Sequence, residues 1–242
     1  QARTEENQRQ ARLALAQASV GKLRTSLARL DCSLLQATLD DRGAVAVSGF
    51  AAGSGPEAAV RQTVAAVLAD APVTVAVEPV APVMCDPLRV VAQYRPTESD
   101  RPTSLTVRPV DGSATYRNGQ NLMVEVVGPD YPSYLQVDYF TLEGYVVHLF
   151  PNGLEKDNRL AAAGRRALGD PHGGGRFWTI GPPFGRELIV AIASAKPLFA
   201  APRPEAEQAS TYLGELRKVL TAAAQQPSPP LTAALVIKTV GQ

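Results

Sequence analysis

Two histidines and two cysteines are the side chains in this sequence best suited to chemistry. A nucleophilic Ser-His-Asp arrangement would need one of the histidines as its base. His148 sits in Tyr145-Val-Val-His-Leu-Phe150, between Val147 and Leu149, where an imidazole reads as a structural member of a strand. His172 lies in Asp170-Pro-His-Gly-Gly-Gly175, close to Arg176. That setting suits a mobile solvated connection, with an anion or ligand loop as the sharper alternative. Gly173-Gly-Gly175 opens no helix of a βαβ unit and lacks a following Lys-Ser/Thr, so no nucleotide cofactor is implied. No serine stands in a G-x-S-x-G elbow, and neither kinase HRD and DFG signatures nor a caspase cysteine motif occurs. With two histidines and no C-x-x-C spacing, no metal is expected.

Cys32 and Cys85 are either two small buried thiols or one disulfide. A bridge would close a loop of about 54 residues and stabilise by about 4 kcal/mol on the chain-entropy model. It would also place the chain in an oxidising compartment, the periplasm or cell exterior. Tyr131, Tyr134, Tyr139, Tyr145, Phe150 and Trp178 cluster in a chain only 6% aromatic. Most belong in a core. Tyr131, Tyr134 and Tyr145, at turn edges, could form a recognition face, because tyrosine gives contact area at little entropic cost. His172 and Arg176 complete the candidate binding residues.

The elements that must position these groups follow from composition and pattern. At 242 residues and 45% hydrophobic, the chain can bury a sizeable core as one large or two modest domains. A net charge of +1 gives no field that would favour nucleic acid or an anionic membrane. Twenty prolines and nineteen glycines fit short strands joined by turns. No apolar run approaches the roughly 18 residues that span a bilayer. The chain begins with Gln, so a fragment or processed form is expected, with any signal or membrane anchor upstream of Gln1.

Residues 1–12 are polar and read as a stalk or linker. Leu13, Ala16, Val20, Leu23, Leu27 and Leu30 form a helical stripe. Ser33–Leu39 and Ala44–Gly49 read as strands around Asp40-Asp-Arg-Gly43, a helix starts at Pro56-Glu57, and Val73–Val77 is a third strand. Residues 13–93 are therefore a small α-β-β-α-β domain and 94–103 a proline-punctuated linker. In 104–242 the strongest signal is a β-hairpin from Tyr134 to Phe150 broken by Glu143-Gly144. Residues 153–176 read as a long connection, Phe177–Ile180 and Glu187–Ala193 as strands. Residues 204–224 read as a helix across the open end of an antiparallel sandwich, and 231–239 as the strand that completes it.

Region 20–80, with its Val45-Ala-Val-Ser-Gly49 strand ending, resembles the BON domain of bacterial envelope proteins. That resemblance implies binding to envelope or lipid surfaces, no catalytic residue, and Cys32 and Cys85 close enough to pair. Tyr116-Arg-Asn-Gly-Gln120, Tyr134–Tyr139, Glu143–Asn152 and Pro183–Ser194 resemble an uncharacterised bacterial β-sandwich family found behind Ser/Thr kinase and caspase-like modules. The expected fold class is α+β, the small domain followed by an immunoglobulin-like sandwich with one C-terminal helix. The expected function is a non-catalytic extracytoplasmic sensory or docking module of a larger membrane-anchored bacterial protein, such as a Ser/Thr kinase. Its partner would be a protein or an envelope component. The alternatives are a hydrolase working through the 153–176 loop and a structural envelope protein assembling through the N-terminal helix.

If Cys32 and Cys85 pair, unreduced protein should be lighter by two hydrogens in mass spectrometry. Reduction should lower the stability of residues 20–90 and leave the C-terminal sandwich unchanged. Two free thiols after oxidative purification would refute the bridge.

Overall fold

A computed structural model describes residues 2–40, 43–53, 56–68, 73–96 and 105–241, except for the side chains of 2–9, 11–13 and 56. The chain forms two units, Gln1–Leu88 and Arg89–Gln242. The first contains α1 (Ala2–Leu27), β1 (Ser33–Leu39), β2 (Val45–Ala52), α2 (Pro56–Val67) and β3 (Val73–Val80), the order expected from sequence. β1 runs antiparallel to β2, and β3 parallel to it. Alternation turns Leu35, Ala37, Val45 and Val47 to one face, where Val20, Leu23 and Leu27 of α1 and Val60 and Val64 of α2 cover them. The polar lead-in is helical in its backbone, with α1 running through it from Ala2.

Gly49 does not end its strand. It lies inside β2 opposite Leu35, at φ +139°, where an added Cβ would overlap the Leu34 carbonyl oxygen. Cys32 and Cys85 form a disulfide, with Cα atoms 4.4 Å apart. Cys32 takes a left-handed conformation (φ 52°) and donates its N–H to Asp31 Oδ1 at 3.0 Å. A 3₁₀ turn at Pro82–Met84 leads into α3 (Cys85–Gln93), which the sequence reading did not assign. Its Pro87 falls in the first turn, where proline displaces no helical hydrogen bond. The end of the first unit falls at Leu88 rather than 93. Val91 and Tyr94 instead accept from Thr232, through its Oγ1 at 2.7 Å and its N–H at 3.0 Å. From residue 97 the expected linker lies outside the described residues. No described helix is long and apolar enough to cross a membrane.

The second unit is mixed α+β with sandwich-like sheets and one C-terminal helix. Its elements are β4 (Thr106–Pro109), β5 (Thr115–Arg117), β6 (Val124–Val127), β7 (Ser133–Phe140), β8 (Tyr145–Phe150), β9 (Arg159–Leu160), β10 (Arg165–Leu168), β11 (Arg186–Ser194), β12 (Ala206–Gln208), α4 (Ala209–Ala223) and β13 (Leu231–Val240). The larger sheet has the order β12-β8-β7-β11-β13-β5, with β9 beside β7, and the smaller is β10-β6-β4. Between them lie Leu135, Val137, Leu149, Ile189, Ala191 and Ile237 against Leu122, Val124, Val126 and Leu168.

Five details differ from the sequence reading. The β7–β8 hairpin has a three-residue loop: Thr141 N–H donates to Tyr145 O, Gly144 N–H closes on Thr141 O, and Gly144 takes φ +81°. Residues 153–176 contain β9 and β10. Phe177–Ile180 is no strand and makes a single bridge, Thr179 to Asn121. Residues 206–208 are extended, and the helix begins at Ala209 and lies on the face of the larger sheet rather than across its end. Last, β13 pairs with β5 in parallel, since no short turn joins them to impose the opposite sense.

Gly49→Ala should destabilise the first unit by about 3 kcal/mol, through strain and the Leu34 overlap. Gly43→Ala, at φ +84° in open space, should cost about 1 kcal/mol. Hydrogen exchange of β1 and β2 amides reads both, and equal effects would show that the carbonyl contact is unimportant.

Candidate functional site

β7 directs Leu135, Val137 and Tyr139 toward the smaller sheet and Gln136, Asp138 and Phe140 toward α4. Asp138 stands opposite His148 of β8. Their side chains meet on the helix-covered face, where Asp138 and Tyr212 are 0% exposed, His148 2% and Gln136 5%. His148 Nδ1 donates to Asp138 Oδ1 at 2.7 Å and Nε2 to Glu207 Oε1 at 3.0 Å. Asp138 also accepts from Gln136 Nε2 at 2.7 Å and from the Tyr212 hydroxyl at 2.5 Å. Glu207 takes a forked pair from Arg203, Nε at 2.8 Å and Nη2 at 2.5 Å, and Arg203 Nη1 reaches Glu215 at 2.5 Å. The His148 ring meets Tyr212 edge-on at 4.7 Å, and the Arg203 guanidinium lies over Phe199 and Tyr212.

Both imidazole nitrogens face carboxylate oxygens, an arrangement that two N–H donors satisfy, so the geometry favours the imidazolium. Burial pulls its pKa down, but hydrogen bonds and charge from Asp138 and Glu207 outweigh that and raise it. Burial beside Asp138 lifts the Tyr212 hydroxyl well above its usual value, keeping it a donor. Glu207, which burial would raise, is held below the carboxylate range by Arg203 and His148. The cluster favours the protonated ring and joins four segments of chain. With no ring nitrogen open, His148 cannot serve as base to a nucleophile in this arrangement.

A second buried carboxylate, Glu187, closes the other face at one sheet end. It accepts from Tyr139 OH at 2.5 Å, Leu142 N–H at 3.2 Å and Thr239 Oγ1 at 3.4 Å. Burial raises its pKa despite these donors. A half-buried carboxylate, Glu155, organises the loops around residues 151–176. It accepts from Asn152 Nδ2 at 3.0 Å, Arg166 Nη2 at 2.7 Å and the Arg176 N–H at 3.2 Å, while Arg166 lies over Phe150.

Of the binding residues expected from sequence, Arg176 joins this loop framework through its backbone and pairs its side chain with Glu205. His172 is exposed, and Asp170 Oδ1 accepts its backbone N–H at 2.8 Å, so that carboxylate holds a turn and not the imidazole. Tyr134 begins β7 beneath Arg159, whereas Tyr145, 43% exposed, begins β8 next to the hairpin loop. The two therefore lie about 20 Å apart, at opposite ends of the hairpin. Tyr131 is half-buried before β7. No single face of tyrosines forms. In the sequence the Asp138 cluster shows only as Gln136, Asp138 and His148 interrupting apolar strands and Tyr212 lying in the helix stripe. Those polar residues read as a solvated face until α4 covers it.

A domain of unknown function, DUF4384, matches residues 115–197. The match runs from β5 to just past β11, over the segment where the β-sandwich resemblance lay, and its description carries no activity. Comparison with curated proteins finds no match. Among solved structures, the chain is similar to a Pseudomonas fluorescens alkylpurine DNA glycosylase, AlkC, bound to DNA containing an abasic site analog. The identity is 20%, over 38% of this chain and 26% of that one, with a TM-score of 0.21. A likeness that slight carries no argument.

Asp138→Ala leaves three buried donors without their acceptor and should cost about 3–5 kcal/mol. Tyr212→Phe removes one donor and should cost about 2 kcal/mol. Urea unfolding followed at Trp178, the sole tryptophan, compares them. Equal losses would deny Asp138 its central role.

Proposed function

We propose that this chain is a non-catalytic docking or sensory module working outside the cytoplasm, within a larger membrane-anchored protein of which a Ser/Thr kinase is one candidate. The observation that carries the reading is the state of the two histidines. His148 is enclosed with both nitrogens occupied by carboxylates, and the acid beside His172 is turned to the backbone. The Cys32–Cys85 disulfide supports an oxidising compartment. The partner is a protein or an envelope component. Exposed apolar side chains at Tyr145, Leu154, Phe177 and Phe184 offer contact area for it.

Sedimentation of the purified, oxidised chain with cell-wall sacculi, and with vesicles of phosphatidylglycerol and phosphatidylethanolamine, tests the reading. Saturable binding to one of them, weakened at least about tenfold by Tyr145→Ala or Phe177→Ala without loss of folding, is expected. Turnover of a model ester or peptide that His172→Ala abolishes would overturn it in favour of a hydrolase.

A further inference from the structure

The segment between β11 and α4, residues 195–208, is mostly exposed and contains Pro197, Pro202 and Pro204. It crosses the edge of the larger sheet as a strap. Only Ala206–Gln208 pair with β8, and Leu198, Phe199, Arg203 and Glu207 are its half-buried side chains. Phe199 packs on the Tyr212 ring, and the polar attachments run through Glu207 to His148, Arg203 to Glu207 and Glu215, Glu205 to Arg176, and the His148 N–H to Glu205 O at 3.0 Å.

We propose that His148 is the bolt of a pH-gated latch, holding this strap to the sheet as imidazolium and releasing it when the ring gives up a proton to solvent. The charged and titratable groups facing the bolt are Asp138 from β7, Glu207 from β12, Arg203 from the strap, and Tyr212 and Glu215 from α4. Loss of one N–H leaves a ring lone pair against a carboxylate. Asp138, fully enclosed, keeps Gln136 and Tyr212 as donors and holds Nδ1–H, because unpaired charge costs most there. The lone pair on Nε2 then opposes Glu207, whose side chain is 14% exposed and can turn to water.

The pH direction follows from the raised His148 pKa. Below the ordinary value of 6.5, folded and unfolded chains both carry the proton and the latch contributes fully. Above it, the folded chain holds a proton that the unfolded chain has released, so stability falls as pH rises through the folded pKa. The depressed Glu207 and the raised Arg203 keep the rest of the latch charged over that range.

The test uses the full chain with His172→Gln, which leaves one histidine to report. Imidazole NMR titration gives the protonation midpoint. Exchange of the His148 and Ala209 amides, corrected for intrinsic base catalysis, gives the opening of the strap. Protection should fall at least about tenfold across the NMR midpoint, and Glu207→Gln should lower that midpoint by about one unit. His148→Gln should make the exchange independent of pH. Protection that stays flat across the NMR midpoint, or a midpoint that Glu207→Gln leaves in place, would overturn the latch. If His148→Gln fails to fold, the Glu207→Gln shift alone decides.

Discussion

Asp138 lies in the middle of β7 with no exposed surface, and a carboxylate there is tolerable only if protein donors replace water. Gln136 provides one from the same strand, His148 one from the neighbouring strand, and Tyr212 one from the helix that crosses both. Those donors come from three elements, so the requirement couples the hairpin, the helix and, through Glu207, the strap. An apolar residue at 138 would pack α4 against the sheet in many rotations. The charge selects the rotation that brings the Tyr212 hydroxyl to it. The helix is therefore fixed in place by one polar contact inside a greasy interface, and Leu213, Leu216 and Leu220 provide the area.

The same device recurs on the opposite face. Glu187 gathers Tyr139, Thr239 and the Leu142 amide where the β7–β8 loop passes the ends of β11 and β13. Glu155 does likewise for loops too polar to bury area of their own. Each carboxylate lies where backbone amides or distant strands need a common acceptor. In a chain with twenty prolines and nineteen glycines, this is how irregular segments are held without a large core beneath each one.

What was legible in the sequence is what depends on neighbours in the chain. Strand alternation in 33–39 and 45–49, the Leu23–Leu27 stripe and the glycine at 144 each state a local preference, and each stands in the structure. Phe177–Ile180 has strand-like residues, but its backbone bonds to the irregular segment Gly119–Leu122 through a single bridge rather than a ladder, so local propensity yields to tertiary context. α3 was hidden by Pro87 and by its shortness. The buried cluster was hidden for a different reason. Asp138 and Tyr212 are 74 residues apart, and nothing near Asp138 reports that a helix will cover it. Tyr134 and Tyr145 both lie at turn edges in the sequence, and only the pairing of β7 with β8 sets them at opposite ends of the hairpin.

The span matched by DUF4384 can be weighed against these dependencies. Residues 115–197 bring β5 through β11, with Asp138 and His148, but not β12, α4 or β13. In the sheet, however, β13 stands between β11 and β5 and pairs with both. Without it β5 has no partner in the larger sheet, and β11, buried on both faces, acquires an open apolar edge. Without α4 and the strap, Asp138 loses Tyr212 and His148 loses Glu207, leaving part of the cluster's charge uncompensated. The segment recognisable by sequence is thus smaller than the segment able to satisfy its own hydrogen bonds, and the physical unit extends through β13.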